Sequence, residues 1–431
     1  MNGLRIAVTT IGCKVNQYDS QAILELFLNE GFSTVDFDAF ADVYIISTCT
    51  VTAVADKKSR QMINRARRLN ENAVVCAVGC LSQKDGEKLK EKCDVDIIVG
   101  NSDRAKIVSF VLSMINDKQA NTYVSKIREQ SRFEELKLTK PTDKTRAFIK
   151  IQEGCNNFCS YCIIPYVRGK ARSRDQKNII SEVSDLVSKG ISEIVLTGIH
   201  VSSYGLDFNE NITLLSLITL LDKIEGLKRL RIGSLEPMLI DQEFCEEASK
   251  IKSLCPHFHL SLQSGCESVL NRMNRKYTPE KYFKRVSLLN KYFDLPAITT
   301  DIIAGFPGES DTEFNETYEF IEKVGFSKVH VFPYSIRSGT KASTMGNQVL
   351  ASVKKERVNK LMNLDNSMQQ QYFEKFIGKK VSVLFENDDE NKKGNKVGYT
   401  KRYIKVSAKA KKNEIKDIVI QKISNLVAYE S

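Results

Sequence analysis

Three thiols stand at Cys155, Cys159 and Cys162, spaced C-x3-C-x2-C in a tight polar loop just past a strand-like run. Three thiolates can hold one iron-sulfur cluster. A [4Fe-4S] cluster normally takes four cysteines, so this spacing leaves one iron open to a substrate or cofactor. The competing readings are a structural zinc site and three unconnected cysteines. Zinc wants a fourth Cys or His to close a tetrahedron, and the nearest His is His200.

A second set of thiols lies in the first third of the chain. Cys13 follows the apolar run 4–10, Cys49 follows 43–46 and Cys80 follows 73–77. These runs, and a fourth at 96–99, alternate with helical patterns at 16–30, 52–69 and 103–115, which predicts a parallel α/β sheet. Ligands of such sheets collect outside the carboxyl ends of the strands, so three distant thiols can meet at one edge. The alternative is that they are small buried packing residues. Gly12 and Gly79 argue against it, because glycine lets a backbone approach a bulky ligand. Cys76 reads as in-strand, Cys93 as helix-terminal, and Cys245, Cys255 and Cys266 have no cluster spacing; all five read as packing residues.

The central loop needs a scaffold. Six strand-like runs at 147–152, 193–199, 228–233, 257–262, 298–303 and 328–332 are separated by helical segments, one of them opened by the capping box Ser310-Asp-Thr-Glu313. They predict an incomplete relative of the (β/α)8 barrel, with its site at the C-terminal strand ends. That face carries the central cysteines, then Thr197, Gly198, Ser234, Glu236, Gln263 and Asp301, each of which can also be a loop cap or a substrate contact. A charged stretch at 116–146, with a turn signal at Pro141-Thr-Asp143, reads as a crossover between domains. Beyond a helix at 352–376, β-type segments at 379–386, 397–410 and 415–423 predict a small β-barrel.

Composition sets the outer limits. The 431 residues are 42% hydrophobic and 27% charged, which suits two or three globular domains. No apolar run is long enough to span a bilayer. The N-terminus reads as a first strand and not a signal peptide, so a cytoplasmic location is expected. There the 11 cysteines stay reduced and favour metal or cluster ligation. The net charge of +11 points to a polyanion, and residues 375–431 concentrate 14 Lys and Arg against 7 Asp and Glu. Lys57, Arg60 and Arg65 on the 52–69 helix, Arg168 and Arg172 after the cluster loop, and Lys401 and Arg402 near the end are candidates for RNA contact. Each is equally readable as a solvated or acid-paired charge.

The central C-x3-C-x2-C spacing, with Tyr161 directly before the last cysteine, resembles the signature of the radical S-adenosylmethionine (SAM) superfamily. Together with Gly-Cys13-Lys-Val-Asn-Gln-Tyr-Asp-Ser, Thr-Cys49-Thr-Val-Thr and Val-Gly-Cys80, it looks like the methylthiotransferases of that superfamily, over essentially the whole chain. The resemblance implies an N-terminal cluster domain (1–118), a linker (119–142), a radical SAM core (143–375) and an OB-like TRAM module (376–431) that binds RNA. It implies one [4Fe-4S] cluster on Cys155, Cys159 and Cys162 whose open iron chelates SAM, with Tyr161 and the polar strand-end residues around it. It implies an auxiliary [4Fe-4S] cluster on Cys13, Cys49 and Cys80.

Members of the family act on prenylated adenosine in tRNA, threonylcarbamoyladenosine in tRNA, or an aspartate of a ribosomal protein. The quoted segments are most similar to the threonylcarbamoyl type. The expected activity is therefore methylthiolation of C2 of N6-threonylcarbamoyladenosine at position 37 of tRNA. Two SAM molecules would serve, one as methyl donor and one as radical source, with an electron donor and a sulfur donor as further partners. The contrasting expectation is a non-catalytic iron-sulfur sensor that binds RNA.

Overall fold

The computed structural model describes residues 3–117, 121–139 and 145–430. The Pro141-Thr-Asp143 turn and both expected linker limits, near 118 and 142, lie outside the described residues. The N-terminal sheet has six parallel strands in the order Ser33–Thr34, Arg5–Thr10, Val43–Thr48, Val74–Gly79, Ile97–Val99 and Asn121–Tyr123. Val43–Thr48 and Val74–Gly79 are buried at every position, as strands covered by helices on both faces require. The strand order reverses between Arg5–Thr10 and Val43–Thr48, and a crevice opens at the carboxyl ends of such a pair.

The last strand of this sheet falls inside the stretch read as a crossover. Its three residues, Asn-Thr-Tyr, are too short and polar to carry a periodic signal. They are held by pairing with Ile97–Val99 and by Tyr123 stacking on Phe110 at 3.6 Å.

All six expected barrel strands form: Arg146–Glu153, Glu193–Gly198, Arg229–Ile232, His257–His259, Ala297–Ala304 and Lys328–Pro333. Neighbours run parallel, and the bridge Leu235↔Leu260 joins the third strand's end to the fourth's. Ala147, Ile149, Ile151, Ile194, Leu196 and Leu230 pack into the core under the helices. By the two-residue period of a strand, Arg146, Phe148, Lys150, Glu193, Arg229 and Arg231 line the concave side.

The flanking modules grip opposite ends of this barrel. Cys80 of the N-terminal sheet packs on Ile163 and Val167, just past the central cysteines, while Ala53 N–H donates to Ser335 Oγ beyond the sixth strand. The helix Ala351–Glu374 leads to a C-terminal sheet in the order Ile415–Val419, Lys380–Asp388, Lys396–Thr400, Lys405–Ala408, Val427–Tyr429 and Lys422–Ser424. It is antiparallel except where Lys405–Ala408 meets Val427–Tyr429, and it curls around Val383, Phe385, Val406 and Ile418. Arg229, the first residue of the third barrel strand, donates to Tyr399 O at 2.8 Å and Ser382 O at 2.9 Å, and Arg231 donates to Lys401 O at 2.9 Å.

Candidate cluster sites

The central loop is built to hold its shape. Gly154 has φ +74°, and a Cβ there would lie 1.9 Å from Lys170 O, so the chain closes on itself only with glycine. Cys155 N–H donates to Gly169 O at 3.1 Å and Cys162 N–H to Cys159 O at 2.9 Å. Ser160 fastens the loop to the next layer through its N–H to Met273 O and its Oγ to Arg272 O. The three half-buried thiols share one neighbourhood. Burial pushes the Cys155 thiol up, and burial with the adjacent thiols pushes Cys162 up to about 12.

A cation stands beside them. Arg275 Nη1 lies 3.3 Å from Cys159 Sγ, and its Nη2 donates to both carboxylate oxygens of Glu236 at 3.0 Å. Burial alone would raise the Glu236 carboxyl, but hydrogen bonding from His200 and the Arg275 charge hold it below the ordinary range. His200 in turn lies 3.3 Å from Asn157 Nδ2. Glu236 is thus tied to the cysteine loop through Arg275 and His200.

The other expected cofactor residues are placed less uniformly. Thr197 is buried and Gly198 packs tightly on Gln152. Ser234 is exposed. Gln263 has φ +73°, and Asp301 is half-buried 3.2 Å from His259 Nε2. Tyr161 packs beside Cys266, Met273, Phe306 and Tyr334.

The N-terminal thiols meet through close backbone approach. Gly12 has φ +109°, and a Cβ there would lie 2.8 Å from Cys49 Cβ and 2.9 Å from its sulfur. Gly79, at φ +110°, passes 2.9 Å from Thr48 O by the same measure and delivers Cys80 to the start of the helix Cys80–Asp85. Burial, then the neighbouring Cys80, pushes Cys49 up to about 12. Asn16 Nδ2 ties the turn to Ile11 O at 2.8 Å and Thr48 O at 3.0 Å.

Among the described residues no three His, Cys, Asp or Glu converge as a single metal ion requires. Each site offers three soft thiolate donors around a glycine-lined turn or a closed loop, and this donor set fits an iron-sulfur cluster.

Arg168 corrects an expectation. Read as an RNA contact, it is fully buried between the two sites: its Nε lies 3.2 Å from Cys80 Sγ, Nη2 bonds Asn16 Oδ1 and Nη1 bonds Glu153 Oε1, both at 2.5 Å. Arg172 is also buried and donates to Arg168 O at 3.0 Å. A charge run in sequence does not show direction: the acids that turn Arg168 inward, Asp19 and Glu153, lie on other elements, and Arg172 is taken up by main-chain oxygens. Arg104 and Lys150 complete the buried network.

The remaining basic candidates divide. Lys57 and Arg65 are exposed, the latter paired with Asp38 at 2.7 Å, and Arg60 is half-buried. Lys401 and Arg402 are committed to the barrel joint, donating to Lys252 O at 3.0 Å and Leu295 O at 2.8 Å. Three structural residues escaped the sequence reading because their partners are far away: Asn16, Arg275, and Arg337, which bonds Thr50 Oγ1 at 2.8 Å and Asp56 Oδ2 at 2.5 Å.

Comparison with known proteins identifies the family. The model of the family described as "Uncharacterized protein family UPF0004" matches residues 5–100, and that of the radical SAM superfamily matches residues 149–321. The chain is 43% identical to the threonylcarbamoyladenosine tRNA methylthiotransferase MtaB of Bacillus subtilis, over 97% of this chain and 93% of that protein. It is 37% identical to the tRNA-2-methylthio-N(6)-dimethylallyladenosine synthase of Clostridium novyi, over 92% and 89%. Among solved structures, the radical S-adenosylmethionine methyltransferase TsrM of Kitasatospora setae, with cobalamin and a [4Fe-4S] cluster bound, shares the fold with a TM-score of 0.60 over 80% of this chain and 77% of that one, at 14% identity.

Proposed function

Because this chain belongs to the radical SAM tRNA methylthiotransferases, we propose that it replaces the C2 hydrogen of N6-threonylcarbamoyladenosine at position 37 of tRNA with a methylthio group. The observation that carries this choice is the 43% identity, across 97% of the chain, to a relative named for threonylcarbamoyladenosine. Two [4Fe-4S] clusters, one held by Cys155, Cys159 and Cys162 and one by Cys13, Cys49 and Cys80, would supply with SAM the radical, methyl and sulfur chemistry. The chain's own residues position and insulate that chemistry. Arg275 offsets negative charge at Cys159 and fixes Glu236, which with His200 offers an anionic, hydrogen-bonding edge to a SAM amino group.

The segments 1–118, 143–375 and 376–431 act as cluster domain, radical core and RNA-binding module. Exposed Lys409, Lys411 and Lys412 on the last, with Lys57 and Arg65 on the first, serve the tRNA backbone. Electrons and replacement sulfur come from separate donors. Among the described residues no helix is long and apolar enough to cross a membrane, and the reaction belongs in the cytoplasm with its tRNA.

The test is mass spectrometry of tRNA nucleosides from a strain lacking the gene, with and without complementation. The 2-methylthio group should vanish from threonylcarbamoyladenosine alone and return on complementation. Its loss from dimethylallyladenosine instead would overturn the substrate choice and leave the family standing.

A further inference from the structure

The inner wall of the barrel is charged, and most of its charges are spent. Arg146 and Arg231 pair with Glu193 at 3.6 and 3.1 Å. Asp301 faces His259 at 3.2 Å.

One further cation reaches this wall from outside the barrel. Lys14, the residue after Cys13, extends its Nζ to 5.9 Å from the centroid of Phe148, which stands on the concave side between Arg146 and Lys150. Its electrostatic neighbours are Arg231, Arg146, Glu193 and Asp301, and each of these already has a partner: Arg231 has Glu193, Arg146 has Glu193 and Glu386, and Asp301 has His259. Lys14 is solvent-accessible, and among the described residues its ammonium has no hydrogen bond or ion pair. Every other basic group named on this wall has an acid or a carbonyl.

An unpartnered ammonium beside charges that are already paired suits a carboxylate, which it binds through charge-assisted hydrogen bonds. The threonylcarbamoyl substituent ends in the carboxylate of its amino acid, whereas a dimethylallyl substituent is a hydrocarbon. The geometry points to Lys14 as the group that receives the carboxylate of the substrate's N6 substituent. This inference rests on the threonylcarbamoyl reading above. It also gives the turn around Cys13 two tasks, since neighbouring residues of one turn then hold a cluster ligand and the tail of the nucleoside. A site built to pair one charged group rejects the analogue lacking it, because the ammonium is left unanswered.

The test measures binding of anticodon stem-loops to the cluster-reconstituted full chain under anaerobic conditions, without turnover. The three probes carry threonylcarbamoyladenosine, its carboxylate methyl ester, and unmodified adenosine. The unvaried chain should bind the free carboxylate more tightly than the ester by roughly tenfold. Lys14→Met should erase that ratio, and Lys14→Arg should keep part of it.

A ratio that survives Lys14→Met at full size overturns the assignment while the substrate reading stands. An unvaried chain that neither distinguishes the three stem-loops nor thiolates the threonylcarbamoyl one overturns both. Should Lys14→Met lower the melting temperature, the ester against the free carboxylate on the unvaried chain still decides: equal affinity overturns the inference.

Discussion

The Nε of Arg168 lies 3.2 Å from the sulfur of Cys80, across the seam between the barrel and the N-terminal sheet. The chain that carries Arg168 is the chain that closes the central loop, since Gly169 O receives Cys155 N–H. One short segment therefore touches both cysteine sites.

Arg168→Gln would leave Asp19 and Glu153 with less compensation in a buried network, at a cost of about 3–5 kcal/mol. It would also remove a cationic donor from the Cys80 sulfur, which lowers the reduction potential of the cluster proposed there. The expected outcome is a lower melting temperature and a more negative potential for the N-terminal cluster, with Arg168→Lys intermediate. An electron-paramagnetic-resonance redox titration in a Cys155→Ala, Cys159→Ala, Cys162→Ala background reads that cluster by itself. Unchanged potential in Arg168→Gln would show that the contact with Cys80 has no electronic consequence.

The two cysteine sets should separate by function. Cys159→Ala is expected to abolish reductive formation of 5′-deoxyadenosine from SAM. Cys49→Ala should retain part of that cleavage while losing thiolation of tRNA. Product analysis of both variants by liquid chromatography checks the pair, and SAM cleavage unaffected by Cys159→Ala would reject the assignment of the central loop.

Gly12 offers a steric test. An alanine there would adopt φ +109° and place its Cβ within 3 Å of the Cys49 side chain. Gly12→Ala should reduce iron bound per chain after reconstitution by about half, from roughly eight to roughly four, leaving SAM cleavage in place. Full iron content would show that the turn has room to spare.

Glu313 predicts an acid dependence in the layer to which the central loop is fastened, since the main-chain oxygen of its partner Arg272 accepts from Ser160 Oγ. Hydrogen bonds from Arg272 lead the causes that hold its carboxyl down at about 2, against about 4.3 in an unfolded chain. A depressed carboxyl contributes stability that is fully present above the unfolded value and lost as pH falls through the folded one. Glu313→Gln should therefore be less stable than the unvaried chain at pH 7, and the gap should close toward pH 2. Urea unfolding of the cluster-free chain across that range measures it, and a gap independent of pH would contradict the pairing.

Much of this architecture was legible because its signals are local. The six barrel strands announce themselves by apolar runs, and the cysteines by their spacing or by their place just past a strand. Directions and partners were not legible. Arg168 and Arg172 read as a basic surface, but Asp19 and Glu153, on other elements, turn Arg168 inward, and main-chain oxygens take up Arg172. Lys401 and Arg402 read as RNA contacts but reach barrel carbonyls more than 100 residues away in sequence. The strand Asn121–Tyr123 exists because a sheet edge was free to accept it, and three polar residues cannot signal that in advance.

At the far end of the barrel, Arg229 and Arg231 hold the C-terminal module by the main-chain oxygens of Tyr399, Ser382 and Lys401. Every amino acid supplies such an oxygen. The barrel must keep its arginines, whereas these three acceptors persist whatever side chains stand at 399, 382 and 401. This part of the joint therefore tolerates change on the module's side, while the side chains of Lys401 and Arg402, which reach Lys252 O and Leu295 O, do not share that freedom.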